Sequence, residues 1–215
     1  MNTIFTDFRN LFLRSLPVHV LLFAAILYSG QLMNLNAPPN PAAAVITAIA
    51  VLGSFSVCLI VQAVLFMRRY LNRTIASDPM KVSLAMALAE GILLTIAFLL
   101  FRSRIAATAW PAYLLNIIEP GLSELSVLSV ILLIFSGAVQ TYALIFLSVC
   151  AGACFRSHRY IASFGAMVLV SALLYVLPGR PAMSHIAIAI CRNIILAVVM
   201  YYSALQIVQR KQLAV

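Results

Sequence analysis

Charge is what this 215-residue chain has least of: Asp, Glu, Lys and Arg make up 9% of it, against 64% hydrophobic residues. A soluble domain carries roughly 25% charged residues, and this chain has too little charge to make such a surface. Acid is scarcer than base, with five Asp and Glu against 14 Lys and Arg. No paired-carboxylate site, HExxH or GxxxxGK[ST] loop is present, so the chain has no phosphate loop with which to hydrolyse ATP on its own. Gly53-Ser54-Phe55-Ser56 resembles no nucleophile motif. These absences argue against an enzyme. The four cysteines, Cys58, Cys150, Cys154 and Cys191, lie within or at the ends of apolar runs and give no disulfide framework. Cys150 and Cys154 have a spacing that could supply two metal ligands, but no His or carboxylate shares their run. They read as small residues facing lipid or a neighbouring helix. No metal or cofactor is expected.

What fills the chain is apolar length. Runs at about 16–34, 43–67, 82–101, 124–152, 160–178 and 183–207 each suffice to cross a hydrocarbon core roughly 30 Å thick. The expected fold is all-α: a polytopic membrane protein of six transmembrane helices, one transmembrane domain over 1–215. Before the first run, Ile4, Phe5, Phe8, Leu11 and Phe12 recur at helical spacing with Asp7, Arg9, Asn10 and Arg14 largely between them. This pattern predicts an N-terminal interfacial helix over 2–15; the other reading is an extension of the first span. The stretch lacks a clear small-residue cleavage site and is expected to belong to the mature protein.

Prolines punctuate the loops. Pro38, Pro39 and Pro41 make a rigid uncharged first turn, Pro79 closes the second loop, and Pro178-Gly179-Arg180-Pro181 joins spans five and six. Residues 102–123 form the longest loop on the side with fewer positive charges. Its Trp110 and Tyr113 favour the headgroup layer, and Pro111 and Pro120 break any continuous span, so a short interfacial or re-entrant element is expected.

The positive charges orient the chain. Arg9, Arg14, Arg68, Arg69, Arg73, Lys81, Arg156, Arg159, Arg210 and Lys211 fall on one side; Arg102, Arg104 and Arg180 fall on the other. Cytoplasmic loops are rich in Lys and Arg, so both termini are expected inside. The net charge of +9 is therefore read as facing lipid headgroups, and no nucleic-acid partner is expected.

Two charges fall inside spans. Glu90 and Arg192 stand at depths within about 5 Å of each other when counted at 1.5 Å per residue, and an unpaired charge there costs at least several kcal/mol. They are expected to pair across spans three and six, with Gln140 and Asn193 completing a polar network. The pair is read either as part of a transport path or as a static clamp on helix register. His19 and His185 fall near opposite ends of their spans, too far apart in depth to share a metal. The segment Arg68–Lys81, with Arg68, Arg69, Tyr70 and Arg73 leading it, can dock a short helix on a soluble partner or be a plain solvated loop. Arg156, His158 and Arg159 form a second basic turn.

Span two running into Phe66-Met67-Arg68-Arg69-Tyr70-Leu71-Asn72-Arg73, and span four ending in Leu147 through Arg159, resemble segments of the permease subunits of ABC-2 type transporters of Gram-positive bacteria. The ending Tyr201-Tyr202 through Lys211 is similar too. The resemblance implies a permease subunit of an ATP-driven exporter in the bacterial cell membrane. It also implies a separate ATP-binding subunit touching the Arg68–Lys81 loop, and a path between two permease chains, identical or different. Two departures stand out: Ala76-Ser77-Asp78-Pro79 replaces an acidic and glycine-bearing stretch, and the span five to six turn is short where a long external element is usual. The alternatives are a membrane protein acting by contact in assembly, sensing or immunity, and a small substrate-capture subunit of a vitamin importer.

Overall fold

The computed structural model describes residues 3–71, 78–118, 127–155, 157–176 and 186–213. Every regular element among them is a helix: α1 (Thr3–Leu35), α2 (Pro41–Tyr70), α3 (Asp78–Ile105), α4 (Trp110–Ile118), α5 (Val127–Ala153), α6 (Arg159–Val176) and α7 (Ile186–Leu213). Five of them, α1, α2, α3, α5 and α7, are long and apolar enough to cross a membrane. The chain is an all-helical, multi-pass membrane protein. The expected fifth span corresponds to α6, whose apolar part, Arg159–Leu174, is shorter than the other five.

The helix ends follow local chemistry. Asn40 caps α2, its side chain accepting from Ala42 N at 2.9 Å, and Pro41 stands at the first helical position, where a missing N–H costs nothing. Pro79 stands in the first turn of α3 for the same reason. Thr108 accepts the Trp110 amide at 3.3 Å and so starts α4. At the α5–α6 turn His158 adopts φ 61°, a left-handed conformation that His tolerates better than most residues.

The expected separate interfacial helix over 2–15 is not formed. Residues 3–15 run without a break into the first span as α1, and Pro17 sits inside the continuous helix. The N-terminal segment is held upright by packing: Leu11 is buried, and Ile4, Phe8 and Phe12 pack on the core. Asp7 reaches Arg69 at the end of α2 and accepts a bond from the Tyr70 hydroxyl at 3.3 Å. A helix of 33 residues is about 50 Å long at 1.5 Å per residue, so α1 projects beyond a 30 Å hydrocarbon layer.

α5 is the hub. It packs on α3, α6 and α7, while α1 packs on α2 and α3. The main core gathers Tyr142, Phe146, Val149 and Cys150 of α5 with Phe66 of α2, Met86 of α3 and Met200 of α7. Close approach of α5 and α6 depends on Gly152, where an added Cβ would lie 2.7 Å from the Arg159 carbonyl oxygen and 2.6 Å from Ser163 Oγ. Ser163 uses that closeness to donate to the Ser148 carbonyl at 2.6 Å. The outward faces of α2, α6 and α7 keep large apolar residues exposed, among them Ile49, Leu52, Ile161, Leu169, Ile195 and Val198, as a lipid-facing surface requires.

A second, smaller core closes the opposite end. The short element expected within 102–123 is α4, over Trp110–Ile118; residues 119–126 lie outside the described residues. Trp110 is not exposed as a ring facing lipid headgroups would be. It is fully buried with Met33, Ala43 and Ile105, and its indole N–H donates to the Met33 carbonyl at 2.6 Å.

A candidate intramembrane polar site

Where α1, α2 and α3 meet near the middle of their lengths, four polar side chains converge. His19 is the seventeenth residue of α1, Glu90 lies near the middle of α3, and Cys58 and Gln62 sit one turn apart on α2. All four are buried, Glu90 and Gln62 to 3% exposure. His19 Nε2 lies 2.5 Å from Glu90 Oε2. Gln62 Nε2 donates to Glu90 Oε2 at 2.8 Å and to Cys58 Sγ at 3.3 Å, and stands 2.9 Å from His19 Nε2. The other imidazole nitrogen, Nδ1, is 2.8 Å from the Ser15 carbonyl oxygen.

That last bond determines the chemistry of the first. A carbonyl oxygen only accepts, so Nδ1 carries a hydrogen. The 2.5 Å contact between Nε2 and Oε2 then requires one more hydrogen, held by the imidazolium or by the carboxylic acid. In either form the pair is neutral overall. Charge separation is confined to one hydrogen bond, which is how a carboxyl group is carried at mid-depth in a low-dielectric layer.

Among the described residues Glu90 is bonded to His19 and Gln62, and no ion pair joins it to Arg192. α3 and α7 pack far more on α5 than on each other, and Arg192 donates from Nη2 to the Leu174 carbonyl at 2.9 Å, joining α7 to α6. Asn193 donates to Ser136 Oγ at 3.2 Å and so ties α7 to α5. Gln140 is half-buried and reaches the Glu90 neighbourhood only by lining the same cleft. Counting residues along spans could not tell which helices are neighbours. His19 was missed for a related reason. With the first span begun at 16, it reads as an end residue, whereas α1 begins at Thr3 and places it centrally. Gln62, four residues from Cys58 within an apolar run, was the signal that could have located the site: two polar groups on one helical face.

Glu90 borders two separate clefts. One, of about 270 Å³, lies between α1 and α3 and is lined by His19, Phe23, Leu27 and Leu94 among others. The other, of about 370 Å³, lies among α2, α3 and α5 and is lined by Phe55, Gly137, Gln140, Thr141 and Tyr142.

At the basic end, Arg68 is exposed, Arg69 is held by Asp7, and Tyr70 is buried at 4% exposure. Arg159 donates to the Leu71 carbonyl at 2.9 Å, so the two basic turns touch. Lys81 and His158 are exposed; Arg73 and Arg156, and the middle of the Arg68–Lys81 loop, lie outside the described residues. Arg14, Arg68 and Arg69 share a polar cleft with Asn10. No protein-family model, curated protein or solved structure matches the chain.

Proposed function

We propose that this chain is a membrane-embedded transport subunit whose moving part is centred on Glu90. The observation that carries the reading is that one buried carboxyl group borders clefts on two sides of α3. A group reachable from two sides by small helix shifts is what alternating access requires, and ionisable residues within spans commonly mark transport paths. In this reading α6 is the sixth crossing and both termini are cytoplasmic, in keeping with the clustering of Arg14, Arg68, Arg69, Lys81 and Arg159 at one end.

The same reading takes the chain as the permease of an ATP-driven exporter, probed by its sequence resemblance, with a separate ATP-binding subunit and a second permease chain. The bond from Arg159 to the Leu71 carbonyl supports it, because it joins the two basic turns into one surface on which a partner can push. The test is affinity purification of the tagged chain from its native membrane in mild detergent, followed by identification of co-purifying chains and an ATPase assay. A stoichiometric ATPase lost on substituting Arg68, Arg69 and Arg73 supports the reading. A chain recovered alone, or with a membrane partner lacking ATPase activity, overturns the ATP-driven part and favours action by contact.

A further inference from the structure

We propose that His19, Cys58, Glu90 and Gln62 form a binding site for a divalent cation of the zinc class. Nitrogen, sulfur and oxygen atoms of His19, Cys58 and Glu90 lie within 4.8 Å of one another, drawn from three different helices. A tetrahedral zinc site spaces such atoms about 3.3–3.6 Å apart, from bond lengths of about 2.0–2.3 Å. Side-chain movements of about 1 Å bring the present spacings, 2.5 Å for His19 to Glu90 at the short end, to those values.

A second observation points to the same ligand. Glu90 Oε1 and Gln62 Oε1 are buried with no hydrogen-bond partner among the described residues. Both are electron-pair donors. Leaving a buried polar atom unsatisfied is unfavourable. The chemistry that relieves two orphaned acceptors beside a thiol and an imidazole is a Lewis acid. A half-turn of the Gln62 amide exchanges Oε1 with Nε2, which already contacts His19, Glu90 and Cys58, and supplies a fourth, neutral ligand. The contact from His19 Nδ1 to the Ser15 carbonyl fixes the ring with Nε2 facing the site, the usual second partner of a metal-binding histidine.

Charge selects the cation. A thiolate from Cys58 and a carboxylate from Glu90 cancel a charge of two, so a divalent ion leaves the site neutral, whereas a monovalent one leaves a buried negative charge. As the ion enters, the thiol proton and the proton shared by His19 and Glu90 leave, and the exchange is electroneutral. Magnesium and calcium demand more oxygen ligands than are present, while mixed imidazole, thiolate and carboxylate ligation in a tetrahedron suits Zn²⁺ and its spectroscopic substitute Co²⁺. The proposal is independent of the transport reading, since binding needs neither movement nor a partner.

The experiment is titration of the metal-free full chain, purified in mild detergent, with Co²⁺ alone, read by absorbance. Saturation at one Co²⁺ per chain, with a thiolate-to-cobalt charge-transfer band and displacement by Zn²⁺, is expected. The band should persist when Cys150, Cys154 and Cys191 are all replaced by Ser and vanish in Cys58→Ser. Glu90→Gln keeps the side-chain shape and a hydrogen bond to His19, so it should elute as folded protein yet bind Co²⁺ more than about tenfold more weakly. A wild-type chain without the band, a band that survives Cys58→Ser, or wild-type affinity in folded Glu90→Gln overturns the proposal.

Discussion

His19 and Glu90, 71 residues apart in sequence, meet at 2.5 Å across the α1–α3 interface and hold one hydrogen between them. Because each neutralises the other, removing one partner should be worse than removing both. Breaking a buried pair costs about 3–5 kcal/mol, while replacing both members with apolar side chains of similar volume is often close to neutral. Glu90→Leu and His19→Leu are each expected to lower the unfolding temperature in detergent sharply, and the double variant to recover much of the loss. Arg192 supplies the control. A thermal double-mutant cycle on His19 and Glu90 should show a coupling of about 1–3 kcal/mol, and the cycle on Glu90 and Arg192 should be additive within about 0.5 kcal/mol. A large coupling in the second cycle would contradict the helix arrangement.

Gly152 gives a sharper steric test. A methyl group there would meet backbone, the Arg159 carbonyl, at 2.7 Å, and backbone cannot turn aside as a flexible side chain can. Gly152→Ala should therefore spread α5 from α6, break the bond from Ser163 to the Ser148 carbonyl, and cost about 1–3 kcal/mol. Gly53, Gly137 and Gly165 face open space, and alanine at any of them should leave thermal stability unchanged or slightly raised, because alanine favours helix over glycine by about 1 kcal/mol.

These two relationships mark where sequence reasoning succeeded and where it stopped. The helices are written in apolar length and punctuated by residues with one clear local meaning: Asn40 with Pro41 starts α2, and Pro79 opens α3. Such signals are local, so spans are legible. Helix adjacency is not local. Glu90 and Arg192 count to similar depths along their spans, yet their helices pack far more on α5 than on each other, and nothing in residue counting reports that. The start of α1 failed for a different reason. A short amphipathic pattern in Ile4–Arg14 fits a helix lying in the interface as well as one packed upright on Arg69 and Tyr70, and only the tertiary partners decide. Misplacing that start moved His19 from the centre of its helix to the end, and hid the polar site.

Trp110 is the sole tryptophan of the chain, which makes it a clean optical probe of the end closed by α4. Its full burial predicts a blue-shifted emission and little quenching by acrylamide in detergent-solubilised protein. Trp110→Phe keeps most of the apolar volume but leaves the Met33 carbonyl without its donor, an expected loss of about 1–3 kcal/mol. Amide exchange should then accelerate in α4 more than in α5. Strong quenching of the native protein would place the ring in a headgroup layer instead.

Cys154 tests the orientation proposed for the chain. It is exposed at the turn between α5 and α6, whereas Cys58 and Cys150 are buried. In a Cys191→Ser background, a membrane-impermeant maleimide should label inside-out vesicles and leave right-side-out vesicles unlabelled. Cys154→Ser should abolish the signal. Labelling confined to right-side-out vesicles would reverse the orientation, putting the Arg68 and Arg159 surface outside the cell and beyond the reach of any cytoplasmic ATPase. Labelling from neither side would require the turn itself to be covered, which its exposure in the isolated chain rules out unless a partner sits on the two joined basic turns. Repeating the reaction on the purified chain separates these outcomes, because solubilised Cys154 should label fully once any partner is removed.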